Sequence, residues 1–290
     1  DTETMAKTYT QDEIADMNIQ YSPRTSVPDA EDYLAKNAEM SAAVRDKLTG
    51  TLDIAFGDSE GQKLDVFPSA TPDSPVHLFI HGGYWRALDK SFYSHMAAPL
   101  VAAGATVVVV NYDLCPKVRV TDIVEQMRRS IVWTYQNVAG HNGDPNRIHV
   151  SGHSAGGHLN GMMIATDWQA YAGLPNDLIK SSALLSGLFD IEPHRFLDVQ
   201  ADIHLSEDEA TAMSPMFKPP VATSPVLLGV GEHEPHLFHW QSLAYAAHLR
   251  MHGVKAEYLS TPGDNHFSIT DRLASGEDFL TKMLIAQMGL

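Results

Sequence analysis

Cysteine is almost absent from this 290-residue chain, since Cys115 is the only one. A single cysteine excludes an intrachain disulfide and a metal site built from several cysteines. Long apolar runs are also missing. No stretch approaches the roughly 18 residues that a membrane-spanning helix requires, and the first residues lack the apolar core of a secretory signal. These absences predict a cytoplasmic protein without a membrane partner.

Basic residues are scarce as well. The sequence has 20 Lys and Arg residues against 36 Asp and Glu residues, a formal net charge of −16 with His neutral. Nucleic acids and anionic membrane surfaces attract basic proteins, so this balance argues against both as partners. The remaining composition is that of a globular protein, with 44% apolar and 19% charged residues. The length suits one large domain.

The chain divides into a polar N-terminal part and a longer part with strand patterns. Residues 1–50 are mostly helical in pattern, which predicts an N-terminal arm or cap over a single domain at 51–290. Beyond residue 51, strand patterns come to alternate with helical ones. Such alternation predicts an α/β fold with a mostly parallel, twisted sheet and helices on both faces. The predicted strands cover 51–56, 62–67, 76–80, 105–110, 148–151, 181–186, 226–230 and 256–260, and the predicted helices cover 121–137, 158–168, 239–252 and 271–288.

The longest irregular stretch of the main domain is the proline-containing segment 187–220. It lies between two predicted strands, at the end of the sheet where binding sites form in α/β folds. Long irregular segments in compact domains often form lids and binding loops. We therefore expect this insertion to be a lid or a pocket wall.

The most informative stretch is the pentapeptide GHSAG at 152–156. A strand pattern precedes it and a helical pattern follows it, so Ser154 is predicted to stand on a sharp strand-to-helix turn, the nucleophile elbow. Glycines on both sides of Ser154 leave room for that turn. The other interpretation, a phosphate-binding glycine loop, requires the pattern GxxxxGK[ST], which does not occur here.

A serine nucleophile needs a base that takes its proton and a third group that orients the base. In enzymes with this elbow, the chain order is Ser, then Asp or Glu, then His. His266 follows the last predicted strand and is the predicted base. Glu234 follows the strand before it, three residues beyond the glycine that ends that strand, and is the predicted acid. Glu232 and Asp190 remain alternatives for the acid.

The loop HGGYW at 81–85 follows another predicted strand. A glycine loop at this position supplies N–H groups that stabilise a developing oxyanion. The predicted oxyanion donors are Gly82, Gly83 and Ala155, the residue directly after the nucleophile. Tyr84 and Trp85 are predicted to wall an aromatic substrate site, with packing behind the loop as an equal alternative for Trp85.

Histidines are numerous, with 15 in the chain. His153 is predicted to line the substrate pocket together with Phe267, whereas His158 is predicted to be structural. The three histidines at 233, 236 and 239 do not have the H-E-x-x-H spacing of a zinc site, and Pro235 interrupts the helical face that such ligands share. We therefore expect no metal and no other cofactor.

Together these motifs resemble the kynurenine formamidase (arylformamidase) family. The resemblance implies an α/β-hydrolase fold with Ser154 as nucleophile, His266 as base and Glu234 as acid, where the family more often has Asp. Arg86 also departs from the Gln that animal members tend to carry. The likeness runs from about Tyr21 to the end of the chain. It rests on HGGYW at 81–85, NYDLCPK at 111–117, LSGLFDIEP at 185–193, FHWQS at 238–242, DNHF at 264–267 and GHSAGGHL at 152–159.

The resemblance implies hydrolysis of a small-molecule aryl formamide such as N-formylkynurenine through an acyl-enzyme. A carboxylesterase for small-acyl aryl esters would use the same residues, so that function remains open. A non-catalytic binding protein with this fold is a third possibility. It would be expected to lack the serine, the histidine or the glycine loop, and all three are present.

Overall fold

The structure, a computed structural model, describes residues 8–290. Its strands form a single sheet, in which β1 and β2 are antiparallel to their neighbours and all later neighbours are parallel. The strands are β1 (Thr51–Ala55), β2 (Lys63–Phe67), β3 (Ser74–Ile80), β4 (Thr106–Val110), β5 (Gly143–His153), β6 (Ile179–Leu185), β7 (Val226–Gly231) and β8 (Ala256–Thr261). Their order across the sheet is β1-β2-β4-β3-β5-β6-β7-β8.

Helices precede, connect and follow these strands. Along residues 8–290, no helix combines the length and the apolar character that crossing a bilayer would require. The α-helices are α1 (Gln11–Gln20), α2 (Pro23–Ser26), α3 (Ala30–Lys47), α4 (Ala97–Ala102), α5 (Val120–Asn137), α6 (Ala155–Ile164), α7 (Trp168–Ala172), α8 (Gln200–Ile203), α9 (Glu207–Ala212), α10 (His236–Met251) and α11 (Phe279–Gln287). Short 3₁₀ helices cover Lys90–Phe92, Ser94–Met96, Val138–His141, Glu192–Phe196, Pro215–Phe217 and Ser268–Ala274.

The central strands are buried on both faces, as parallel strands covered by helices must be. In β3, Leu78 and Ile80 belong to the apolar cluster on one face, while Phe79 between them belongs to the cluster on the other face. One face packs against α5 and α6, and the other packs against α4 and α11. The predicted α/β fold class is confirmed.

Two helix predictions were wrong in their bounds. The region predicted as one helix at 271–288 is a 3₁₀ helix followed by α11, because the Asp278 side chain accepts a hydrogen bond from the Leu280 N–H and caps a new helix there. The region 158–168 likewise ends α6 at Ile164, and Asp167 caps the separate helix α7. In both places a local side-chain cap starts a new helix.

The N-terminal helices α1 to α3 lie against the main domain. The Asn37 side chain donates to the Thr270 hydroxyl over 3.1 Å, and the Ser41 hydroxyl lies 3.1 Å from Nδ1 of His95. At the end of α1, the Tyr21 hydroxyl accepts a hydrogen bond from the Gln241 side chain over 2.9 Å. These buried polar contacts fix the N-terminal segment over one end of the sheet.

A buried ion pair holds the segment after the HGGYW loop to strand β2. The Lys90 ammonium lies 2.7 Å from Oδ1 of Asp65 and 2.8 Å from Oδ1 of Asp53. The Asp65 side chain is fully buried, and its other oxygen, Oδ2, has no hydrogen-bond partner among the described residues. Lys90 therefore provides the opposite charge for a carboxylate that has no access to water.

We predict that Lys90→Met destabilises the fold by about 3–5 kcal/mol, because removing one member of a buried pair leaves an uncompensated charge. Thermal and urea unfolding, followed by circular dichroism, measure the loss. Lys282→Met is the matched control, since Lys282 pairs with Glu277 on the open surface and its loss should leave the melting temperature nearly unchanged. Equal stability of the two variants would contradict this account of Asp65.

Candidate active site

Ser154 stands on the turn between β5 and α6, at the carboxyl end of the parallel sheet. Its backbone has a φ of 56° and a ψ of −118°, a left-handed conformation that is rare for a residue with a side chain. Gly156 permits this turn, because a Cβ at that position would lie 2.0 Å from the carbonyl oxygen of Ile80. The arrangement is the strand–turn–helix geometry of a nucleophile elbow.

His266 and Glu234 meet beside this turn, on the loops after β8 and β7. Nδ1 of His266 lies 2.7 Å from Oε2 of Glu234, and both side chains are almost fully buried. The other carboxylate oxygen, Oε1, accepts hydrogen bonds from the Gly231 N–H over 2.8 Å and from the Ser186 hydroxyl. With Nδ1 donating to Glu234, Nε2 of His266 remains as the nitrogen that can accept a proton.

The two alternative carboxylates lie elsewhere. Glu232 is exposed and accepts a hydrogen bond from the Gly263 N–H over 2.8 Å, which holds the loop after β8. Asp190 is buried, and its Oδ1 accepts from the Glu192 N–H over 3.0 Å within the insertion. Glu234 is the one of the three whose carboxylate contacts the His266 ring.

Ser186, which sequence analysis missed, completes the acid's surroundings. It follows β6 directly, with a φ of 50°, and its hydroxyl donates to Glu234. The signal was present in the sequence, because Ser186 stands at the end of a predicted strand, as do the other residues of the site.

The HGGYW loop leaves β3 at the same edge of the sheet. Gly83 has a φ of 111°, and a Cβ there would lie 1.9 Å from the Ala87 carbonyl oxygen, so only glycine fits. Tyr84 and Trp85 follow with φ values of 55° and 59°. Residues held in this region cost about 1–3 kcal/mol each and persist only where the surroundings enforce them.

Hydrogen bonds from neighbouring loops enforce this conformation. The Tyr112 hydroxyl donates to the His81 carbonyl oxygen over 2.9 Å, and the Cys115 N–H donates to the Trp85 carbonyl oxygen over 2.8 Å. The His81 ring is stacked on Tyr112 with ring centroids 4.1 Å apart, and its Nε2 lies 3.0 Å from Oδ1 of Asn111. Contacts within the protein therefore set the conformation of the loop.

A cavity of about 550 Å³ opens in front of Ser154 and His266, which both line it. Of the predicted substrate-binding residues, Tyr84, His153 and Phe267 line it too. The wall opposite the sheet comes from the insertion, which was predicted to form a lid or a pocket wall, and from the N-terminal segment, whose residues were not predicted to line the site. This wall includes Ile19, Tyr21, Pro23, Leu34, Leu197 and Val199.

Of the two roles predicted for Trp85, substrate contact and packing behind the loop, the structure favours packing and corrects the substrate contact. Its side chain is fully buried and lies outside the lining of this cavity. The indole Nε1–H donates to Nδ1 of His158 over 3.0 Å, and Nε2 of His158 lies 2.7 Å from the Met213 carbonyl oxygen. Burial lowers the pKa of His158 to about 4, so the ring is a neutral link between the loop and the insertion. Trp85 supports the loop from behind.

Gly82 and Gly83, which were both predicted as oxyanion donors, have different surroundings. Gly83 lines the cavity, whereas Gly82 does not. Hydrogen bonding by the Gly82 backbone opposes the effect of burial, which raises the pKa of Tyr93. Ala155 begins α6 directly after the nucleophile, where the first N–H groups of a helix have no partner within the helix.

His153 is held next to the predicted base. Its Nε2–H donates to the His266 carbonyl oxygen over 2.8 Å, and the two ring centroids are 4.7 Å apart. Burial, with the neighbouring His266 as a smaller cause, lowers the pKa of His153 well below its ordinary value. His153 is therefore neutral and anchors the backbone of the loop that carries His266.

The three histidines weighed as zinc ligands do not converge. His233 and His236 are exposed, and Nδ1 of His239 lies 2.7 Å from the Tyr258 hydroxyl. Over residues 8–290, no group of three or more His, Cys, Asp or Glu side chains has an arrangement that could hold a metal ion.

Comparisons with known proteins agree with this architecture. A family model described as the alpha/beta hydrolase fold matches residues 77–270. The chain is therefore an α/β hydrolase, which confirms the fold predicted from its resemblance and makes it an enzyme. A solved structure from Silicibacter sp. TM1040 superposes with a TM-score of 0.83 at 26% identity, over 94% of this chain and 99% of that one.

Two curated relatives narrow the class. Kynurenine formamidase from Danio rerio is 33% identical over 94% of this chain and 96% of its own length. Kynurenine formamidase from Salmo salar is also 33% identical, over 93% of each chain. The chain belongs to the kynurenine formamidase family, as the sequence motifs predicted.

We predict that Trp85→Phe lowers stability by about 1–3 kcal/mol, because it leaves the buried Nδ1 of His158 without its donor. The KM for a small ester such as p-nitrophenyl acetate should stay within twofold of the wild-type value. Phe267→Leu, on the cavity wall, should instead raise KM and leave the stability nearly unchanged. Thermal unfolding and steady-state kinetics test both variants. A raised KM at unchanged stability for Trp85→Phe would mean that Trp85 contacts the substrate.

Proposed function

We propose that the chain hydrolyses small aryl formamides of the N-formylkynurenine type through a Ser154–His266–Glu234 triad. The observation that carries the proposal is the 2.7 Å contact between His266 and Glu234 beside the elbow serine. Membership of the kynurenine formamidase family supports the substrate class. The substrate is a small molecule, and the proposed chemistry requires no cofactor.

The reaction begins when the Ser154 hydroxyl oxygen attacks the formyl carbonyl carbon and Nε2 of His266 takes its proton. The Glu234 carboxylate stabilises the imidazolium that forms. The tetrahedral intermediate collapses when the carbon–nitrogen bond breaks and His266 returns the proton to the leaving arylamine. Water, activated by the same histidine, then attacks the formyl ester of Ser154 and releases formate and the free serine.

The negative charge of the tetrahedral intermediate needs donors that are already in place, because fixed dipoles require no reorganisation during the reaction. We assign this role to the N–H groups of Gly83 and Ala155. Gly83 lines the cavity in a loop with enforced backbone geometry, and Ala155 follows the nucleophile at the start of α6.

The cavity favours an aromatic leaving group with a small acyl group. Three aromatic residues, Tyr84, Phe267 and Tyr21, are part of the lining. An arylamine is also a better leaving group than an alkylamine, because its nitrogen lone pair is shared with the ring. Aryl esters with small acyl groups place the same atoms at the same positions, so a carboxylesterase activity is the second candidate.

Wild-type turnover of N-formylkynurenine should exceed that of p-nitrophenyl acetate in kcat/KM when each is compared with its uncatalysed rate. Ser154→Ala should lower kcat by about a millionfold for both, as loss of the nucleophile does in subtilisin. Ser260→Ala, an exposed serine on β8, is the control. A tenth of wild-type activity in Ser154→Ala would refute the triad, and a clear preference for the ester would favour the esterase.

Glu234→Gln should lower kcat by about ten-thousandfold, because the amide no longer holds the His266 ring in the required tautomer. Glu232→Gln is the matched control on the same loop and should remain within a fewfold of wild type. Asp190→Asn should do the same. Steady-state kinetics rank the three variants, and the assignment fails if either control loses more activity than Glu234→Gln.

A further inference from the structure

Tyr93 is a buried polar residue of the cavity that the proposed mechanism does not use. It lies between the 3₁₀ helices Lys90–Phe92 and Ser94–Met96, just after the HGGYW loop, and only 3% of its surface is exposed. It lines the same cavity as Ser154, Gly83 and His266. A phenol in this place lies among the groups assigned to the reaction.

Ring packing fixes the position of Tyr93. Its ring centroid is 5.3 Å from that of Phe79 and 6.2 Å from that of His81, and the Tyr93 and His81 planes differ by 16°. His81 is itself stacked on Tyr112, which holds the loop backbone. The phenol therefore belongs to the same rigid layer as the loop and has little freedom to move.

The Tyr93 hydroxyl lies next to Gly82, which in turn abuts the nucleophile. The Gly82 N–H faces this hydroxyl. A Cβ on Gly82 would lie 3.0 Å from Cβ of Ser154 and 2.9 Å from the His153 carbonyl oxygen. A single glycine thus separates the phenol from the reacting serine.

The hydroxyl is also in the protonation state of a donor. Burial raises the pKa of Tyr93, and the Gly82 N–H opposes this effect only in part. The phenol is therefore neutral at physiological pH. An oxygen that accepts from the Gly82 N–H keeps its own proton free for another acceptor.

We propose that the Tyr93 O–H donates a hydrogen bond to the oxyanion, together with the N–H groups of Gly83 and Ala155, and that it occupies the place that sequence reasoning gave to Gly82. Gly82 then acts indirectly, because its N–H orients the phenol. This inference rests on the proposed acyl transfer at Ser154 and adds a side-chain donor to it.

The role makes a specific kinetic demand. A donor to the oxyanion acts on the transition state and contributes little to binding of the ground state, so its loss lowers kcat and leaves KM nearly unchanged. Removal of one such donor in other enzymes costs about 10²–10³ in kcat. A ring that only packs behind the loop would show no such separation after loss of its hydroxyl alone.

The test is Tyr93→Phe, which keeps the ring and removes the hydroxyl. Tyr245→Phe is the matched control, because Tyr245 is a buried tyrosine outside the cavity lining. Each variant is assayed with an aryl formamide and an aryl acetate, and with an aryl trifluoromethyl ketone that forms a tetrahedral oxyanion on the serine. Binding of the arylamine product reports the ground state, and thermal unfolding reports the fold.

We expect Tyr93→Phe to lower kcat by a factor of about 10²–10³ and to weaken binding of the ketone by a similar factor. KM, product affinity and melting temperature should match those of Tyr245→Phe. A kcat within twofold of wild type would overturn the inference, and so would parallel losses in ketone affinity, product affinity and stability. A wild-type chain that cleaves neither substrate would overturn the proposed function as well, whereas an active wild type with an unaffected Tyr93→Phe would overturn this inference alone.

Discussion

The geometry of the site depends on how closely the Ser154 turn packs between two strands. A Cβ on Gly156 would lie 2.0 Å from the Ile80 carbonyl oxygen at the end of β3. On the other side, the Ser154 N–H donates to the Leu185 carbonyl oxygen at the end of β6 over 2.8 Å. A serine backbone with a positive φ costs about 1–3 kcal/mol by itself. Because both neighbouring strands hold the turn, the fold keeps this conformation, and Ser154 remains part of the cavity lining.

The parallel sheet then brings four further loops to the same edge. The loops after β3, β6, β7 and β8 carry Gly83, Ser186, Glu234 and His266 respectively. Glu234 shows what this convergence accomplishes, since a buried carboxylate is tolerated only when donors compensate its charge. Its three donors come from Gly231, Ser186 and His266.

The sequence predicted the parts of the site that depend on chain order. Ser154, Glu234 and His266 could be found because each follows a strand pattern, and parallel strands deliver their following loops to one edge. For Trp85 the sequence left two roles open, and for Gly82 it could not give the direction of the amide, because such directions depend on partners such as His158 and Tyr93. Local motifs do not encode those partners, and the break before α11 was missed for a similar reason, a single capping aspartate.

The cavity wall opposite the sheet depends on long-range contacts, which are a second limit to prediction from sequence. The Asn18 side chain accepts a hydrogen bond from the Asp198 N–H over 2.8 Å, which joins α1 to the insertion. Arg86, which directly follows the HGGYW loop, pairs with Asp202 of the same insertion. These contacts join segments more than a hundred residues apart, so neither composition nor periodicity could reveal them. The residues of the proposed chemistry lie at the edge of the sheet, while this wall shapes the cavity that receives the substrate. Changes in the wall can therefore alter substrate preference without disturbing the serine, its base or the oxyanion loop.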